Sequence, residues 1–144
     1  MKLFTIGFTQ HSAEEFFTLL AEAGVRRVVD VRLNNTSQLA AFAKARDLEY
    51  FLRAIAHIEY AHIPDFAPTQ EILDEFKKKK GDWAEYERKF RALMAERNIA
   101  GIAASALRNG DCLLCSEHTP EHCHRRLIAE HLEEKLGGFE VIPL

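Results

Sequence analysis

Cysteine is scarce and bunched in this chain. There are three, Cys112, Cys115 and Cys123, an odd and tightly clustered set, whereas the disulfide framework of a small secreted domain is even in number and dispersed. They read as thiols. Proline and glycine are also few, four and seven, and scattered, which excludes collagen-like, low-complexity and disordered classes. No stretch of about 18 apolar residues runs uninterrupted, so no membrane-spanning helix is expected. The amino terminus, Met1-Lys2-Leu3-Phe4-Thr5, turns polar by Thr9 and has no long apolar core or small-residue cleavage site; a cytoplasmic protein is expected. Neither sign of charge dominates. Nineteen basic against 22 acidic residues leave a net charge of -3, which argues against a protein that coats duplex DNA and leaves open only a local basic patch. What the chain does have is apolar content, 47% of 144 residues. A chain that long can remove roughly 70% of its unfolded surface from water, enough for one domain over residues 1–144 with a real core.

The apolar pattern alternates between strand and helix. Leu3-Phe4-Thr5-Ile6, ended by Gly7, predicts a strand, and Ser12 with Glu15 forms a capping box for a helix bearing Phe16, Phe17, Leu19, Leu20 and Ala23 on one face. Gly24 suits the left-handed position after that helix. Val28, Val29 and Val31 then make a run too continuous for a half-exposed strand, as expected of a parallel strand buried on both faces. Ser37 and Asp47 are expected to cap two short helical pieces, the second carrying Leu48, Phe51, Leu52 and Ile55. Residues 58–63 read as a strand stopped by Pro64. Thr69 opens a helix to about Lys79, and Asp82 with Glu85 opens another whose Trp83, Tyr86, Phe90 and Met94 have helical spacing and belong to the core. Asn98 begins a helix over Ile99 to Leu107. Asn109-Gly110 is a turn, Asp111 to Ser116 a buried strand, and Thr119-Pro120 the start of a long helix to Leu136. Gly137-Gly138 ends it before a last strand over residues 139–144. This order predicts an α/β fold, a mainly parallel sheet with helices on both faces, with binding sites outside the carboxyl ends of the strands.

Residues 115–126, Cys-Ser-Glu-His-Thr-Pro-Glu-His-Cys-His-Arg-Arg, concentrate thiols, imidazoles, carboxylates and guanidiniums at one strand-to-helix junction. Unpaired amides and the dipole at a helix start favour a thiolate or a bound anion there. Three readings stand. Cys115 or Cys123 acts as nucleophile with His124 as base or charge partner and Arg125 on an anionic substrate; or some of Cys115, Cys123, His118, His122, His124 and Glu117 supply ligands to zinc or iron; or the cluster is packing. Cys112-x-x-Cys115 is no metal knuckle, because a strand puts its two sulfurs on opposite faces and no second pair exists. His131 shares the sheet-facing side of the last helix with Leu127 and Ile128 and reads as a core histidine. Asp30 and Arg32 share one face at the end of the second strand, on the rim that also receives Cys115, Gly7 and Thr9; Asn34, Asn35, Thr36 and Ser37 add neutral polar groups. Lys77 to Lys80 reads as a solvated helix end that complements the dipole, with phosphate contact as the alternative.

Thr5-Ile6-Gly7, Asp30-Val31-Arg32 and above all Leu114-Cys115-Ser116-Glu117 followed by Pro120, Cys123, His124 and Arg125 resemble the domain of unknown function 488 family. Its closing motif reads approximately Leu-Cys-Ala-Glu, a short gap, then Cys-His-Arg, so Cys115, Glu117, Cys123, His124 and Arg125 match by position and Ser116 stands for the small residue. The chain departs where the family has His-Ser after the first glycine and this sequence has Phe8-Thr9, and where Leu33 to Ser37 replace a Pro/Arg-containing loop. The resemblance implies an α/β fold and a shared polar site, and names no reaction. Asp30-Val31-Arg32 and His62-Ile63-Pro64 also resemble rhodanese-like sulfurtransferases. There the match ends, since Cys115 is not followed by the short amide cradle of that family and Pro120 intervenes before Arg125.

The expectation drawn from these residues is a protein that binds a small anionic ligand at the strand-end rim. Cys115, His124 and Glu117 would form a catalytic set for thiol-dependent transfer or hydrolysis, and Arg125, Asp30, Arg32, Cys123, Gly7 and Thr9 would hold the ligand. The competing classes are a non-catalytic module that binds or senses zinc or iron, and a nucleic-acid-associated protein acting through the lysine run.

Overall fold

The computed structural model describes residues 1–34, 41–116 and 122–144. Strand β1 spans Lys2–Gly7 and helix α1 spans Ala13–Ala23, begun by Ser12, whose side chain accepts from the Glu15 amide, and ended by Gly24 in the left-handed region at φ 78°. Strand β2 follows over Arg27–Asp30. A single 3-10 turn, helix α2 (Ala45–Phe51) and a π-type turn (Leu52–Ala56) lead to β3, Glu59–His62. Asp47, expected as a cap, lies in the first turn of α2, and Lys44 takes the cap position without a side-chain bond. Ser37 lies outside the described residues. Helices α3 (Gln70–Lys77), α4 (Trp83–Glu96) and α5 (Ile99–Ala106) start at Thr69, Asp82 and Asn98, each accepting from an amide of the first turn. Strand β4 is Asp111–Cys115, α6 is His124–Leu136 and β5 is Glu140–Pro143.

The sheet is parallel throughout, in the order β3-β2-β4-β1-β5. Parallel strands need crossovers, and right-handed ones fix which face each helix covers. The chain passes leftward from β1 through α1 to β2 and on to β3, then turns back through α3, α4 and α5 to β4, and through α6 to β5. Two cores result. Phe16, Phe17, Leu20, Leu48 and Leu52 pack with Phe4, Ile6, Val28, Cys112 and Leu114 on one face. On the other, Phe90, Met94, Ile99, Leu127, Ile128 and Leu132 pack with Leu3, Val29, Val31, Leu113 and Cys115. The alternation along β4 thus sends Cys112 and Cys115 to opposite faces. Among the described residues no helix is long and apolar enough to cross a membrane.

This topology creates one special crevice. Neighbours β1 and β4 send their outgoing connections to opposite faces, α1 to one core and α6 to the other, so their carboxyl ends part at a topological switch point. Gly7 pairs with Cys115 there, and Asp30 of β2 pairs with Leu114 one residue earlier.

Candidate functional site

The loops at the switch point are tied together by backbone bonds. The Phe8 and Thr9 amides donate to the carbonyls of Cys115 and Ser116, at 3.3 and 3.1 Å, and the Thr9 hydroxyl also donates to the Ser116 carbonyl. The loop after β1 therefore braces the turn that follows Cys115.

Asp30 and Arg32 meet as a fully buried pair beside it. The Arg32 Nε and Nη2 donate to the two carboxylate oxygens at 2.8 and 2.7 Å, the Arg32 amide donates at 3.1 Å, and the Tyr60 hydroxyl donates at 2.6 Å. Burial pushes the Asp30 carboxyl up, and the bonds and charge of Arg32 with the Tyr60 hydroxyl outweigh it, so the group sits below the usual carboxylate range. His62 bonds the Arg32 carbonyl through Nε2 at 2.8 Å, and the guanidinium carbon lies 5.4 Å from the centre of the Phe8 ring. Phe8 thus covers the arginine. The third guanidinium nitrogen of Arg32, Nη1, is sealed from solvent and has no hydrogen-bond partner among the described residues.

On the β4 side, Cys115 and Cys123 are joined as a disulfide. Cys123 is the N-cap residue of α6 and His124 its first helical residue, whereas the sequence pattern places both inside a helix begun at Thr119-Pro120; those two residues, with Glu117 and His118, lie outside the described segments. His124 Nε2 bonds the Val31 carbonyl at 2.6 Å, and the edge of Phe90 meets the imidazole with ring centres 5.7 Å apart. A carbonyl accepts only, so Nε2 carries a proton there. Arg125 is 1% exposed. Its Nη1 donates to the Cys115 sulfur at 2.9 Å and reaches the Cys123 sulfur at 3.5 Å, so the guanidinium expected to face a ligand faces the two sulfurs. The sulfurs and a ring nitrogen of His124 all lie within 4.8 Å of one another. Cys112 is the free thiol, buried on the opposite face; burial pushes it far above the ordinary thiol range, with Arg125 opposing and Asp111 adding to the rise.

A cavity of about 190 Å³ opens beside the sulfurs, lined by Phe76, Lys77, Trp83, Tyr86 and His122 with Cys115 and Cys123. Lys77, the last residue of α3 and the first of the lysine run, therefore borders the site, while Lys78 pairs with Asp74 at 3.5 Å. Trp83, assigned to the core from its spacing, is only half-buried and stacks on Tyr86 and His122 at 4.7 and 5.0 Å. The signal for it was its place at the first turn of α4, where a helix residue borders a rim as readily as a core. Tyr60 went unnoticed because its partner, Asp30, lies across the sheet. His131 is buried as expected, and burial with the Lys135 charge holds its pKa down. A larger depression of about 550 Å³ lies at the amino ends of β2 and β3, where Arg27 bonds Asp111 at 2.6 Å and Arg108 faces Glu59 at 3.6 Å.

No curated protein and no solved structure matches the chain. The family model described as "Domain of unknown function DUF488" matches residues 12–132, a span that holds Asp30, Arg32 and the whole Cys115 to Arg125 motif. The protein belongs to the DUF488 family.

Proposed function

We propose that the crevice between β1 and β4 is a thiol site that binds a small anionic ligand and transfers or hydrolyses a group through Cys115. The observation that carries this reading is the buried Arg125 guanidinium set against both sulfurs. A neutral disulfide is a poor acceptor for a guanidinium, and a thiolate is a charge-assisted one, so the arrangement is suited to the reduced pair. The N-terminus of α6 adds its dipole at Cys123. Two electrons from two molecules of a small thiol, which leave as their own disulfide, open the Cys115–Cys123 bond and release the nucleophile. The Cys115 thiolate then attacks the electrophilic atom of the ligand. The proton released when the Cys115 thiol ionises passes to His124, the leaving group departs with its electron pair and takes that proton, and water or a second acceptor displaces the group from sulfur. Asp30 and Arg32 hold the opposite wall, and Glu117, outside the described residues, is assigned to orienting a partner.

Zinc or iron is the second reading, because the sulfurs and the His124 nitrogen are close enough together to cup an ion. Arg125 weighs against it: a divalent ion would sit beside a buried positive charge already turned to the same two sulfurs.

The test is alkylation of the reduced protein by iodoacetamide across a range of pH, with the sites mapped by mass spectrometry. Cys115 is expected to react well below the ordinary thiol range of about 8.5, and at least about tenfold faster than Cys112 at neutral pH. A Cys115 profile no different from that of a model thiol peptide overturns the reading. So does stoichiometric metal in untagged protein purified without chelator and lost in both Cys115→Ser and Cys123→Ser.

A further inference from the structure

The cavity beside the sulfurs has a neighbour. A second space, also about 190 Å³, is lined by Arg32, Leu33, Asn34 and Pro68, and it shares Leu73, Ser116 and His124 with the first. The two ends differ in chemistry. The first presents the rings of Phe76, Trp83, Tyr86 and His122, three of them in a ladder in which Trp83 lies between Tyr86 and His122. The second presents Arg32, which is 3% exposed and whose Nη1 is buried with no hydrogen-bond partner among the described residues. Leaving such a donor unsatisfied is costly, and folded proteins leave few of them without a reason.

Asp30 holds the other two nitrogens of that guanidinium, so the pair is preorganised, and Nη1 has no acceptor among the described residues; a ligand oxygen entering at the Arg32 end of the second space reaches it once the groups that cover it shift. Size sets the apolar end. A dry cavity of roughly 150 Å³ is enough for a benzene ring, and the first cavity is somewhat larger at about 190 Å³. Aromatic walls favour an aromatic occupant through edge and offset contacts. A carboxylate is the strongest acceptor for the second end, since its bond to Nη1 is charge-assisted.

We propose that the two cavities form one cleft for a small aromatic carboxylic acid, its ring against Phe76, Trp83 and Tyr86 and its carboxylate accepting from Arg32, with Ser116 and His124 along its middle. This names the ligand class of the thiol site above and rests on that reading for its chemistry, though not for its binding. The ligand passes beside Cys115, so occupancy shields the sulfur.

Trp83 is the one tryptophan of the chain, so its fluorescence reports directly on the ring end of the cleft. Reduced full-length protein is titrated with phenylacetate, acetate and 2-phenylethanol. Phenylacetate is expected to give a saturable change, and acetate, which lacks the ring, and 2-phenylethanol, which lacks the charge, to bind at least about tenfold more weakly. Arg32→Gln would also strand Asp30 and risk unfolding, so the variant used is Leu73→Phe, which fills the wall shared by both cavities. It should weaken phenylacetate about tenfold; overpacking can lower the thermal midpoint, so binding is compared at a temperature where thermal unfolding shows the variant still folded. Bound phenylacetate should also slow alkylation of Cys115. No saturable change with phenylacetate, acetate binding as well as phenylacetate, undiminished binding to folded Leu73→Phe, or unshielded Cys115 each overturns the proposal. Binding that shields a Cys115 of ordinary reactivity removes the thiol reading and supports the cleft; a reactive Cys115 with no binding removes the cleft alone.

Discussion

Replacing Arg125 with methionine is expected to slow alkylation of reduced Cys115 at neutral pH by about ten- to a hundredfold. The guanidinium is fully buried, its Nη1 lies 2.9 Å from the Cys115 sulfur, and so little solvent intervenes to screen its charge. Methionine keeps most of the side chain's length and fills the space with an apolar body, which separates the loss of charge from the loss of packing. Lysine in the same place keeps the charge as a point and loses the planar guanidinium whose Nη1 reaches both sulfurs, so Arg125→Lys should fall between the two. The measurement is a competition between Cys115 and Cys112 for a limiting alkylating agent, read by mass spectrometry. Cys112 is the internal reference because burial keeps its thiol protonated. A folded Arg125→Met protein whose Cys115 reacts at the wild-type rate would show that the guanidinium does not activate the thiol, and the proposed nucleophile would lose its main support.

The elements of this fold were legible because their signals are local. Ser12, Thr69, Asp82 and Asn98 each cap the helix that the pattern assigns to them, and Gly24 ends α1 in the left-handed region. The alternation in β4 correctly separated Cys112 from Cys115. What pairs with what was less legible, because it depends on strand order. Only the insertion of β4 between β2 and β1 brings Cys115 level with Gly7 and Leu114 level with Asp30, and nothing in the local pattern of β4 states its neighbours. The same holds for Tyr60, which reaches Asp30 because β3 runs beside β2. The start of α6 was misplaced for a different reason. Thr119-Pro120 has the residues of a helix start, and Cys123, a poor capping residue with no side-chain bond, takes that position instead. Its sulfur is engaged with Cys115 and Arg125, so the demands of the site override local preference there.

The largest effect on stability should come from Asp30→Asn. Asp30 is wholly buried, and its carboxylate answers a guanidinium that is itself buried; removing the charge leaves Arg32 uncompensated, for which a loss of about 3–5 kcal/mol is expected. Tyr60→Phe removes one donor from the same carboxylate and should cost about 1 kcal/mol. The sign with pH follows from the direction of the shift. The folded pKa of Asp30 lies below its unfolded value, so in the interval between them the unfolded chain binds the proton and the folded one does not. The contribution is therefore complete above the ordinary carboxylate pKa, near about 4, and is lost as the pH falls through the folded value. Urea unfolding of wild type and Asp30→Asn at neutral pH and at successively lower pH measures both quantities. The gap between the two proteins should be widest at neutral pH and narrow in acid, where the wild-type carboxyl is protonated as well. Glu15, Glu85 and Glu130 also sit below the usual range, but both proteins carry them, so their contributions cancel in the gap. A gap that stays constant into acid would mean that Asp30→Asn acts through packing rather than charge. The rim would then owe its rigidity to the Phe8 ring over Arg32 and the backbone ties of β1 to β4, and the Asp30–Arg32 pair would no longer be the feature that presents Nη1 to a ligand.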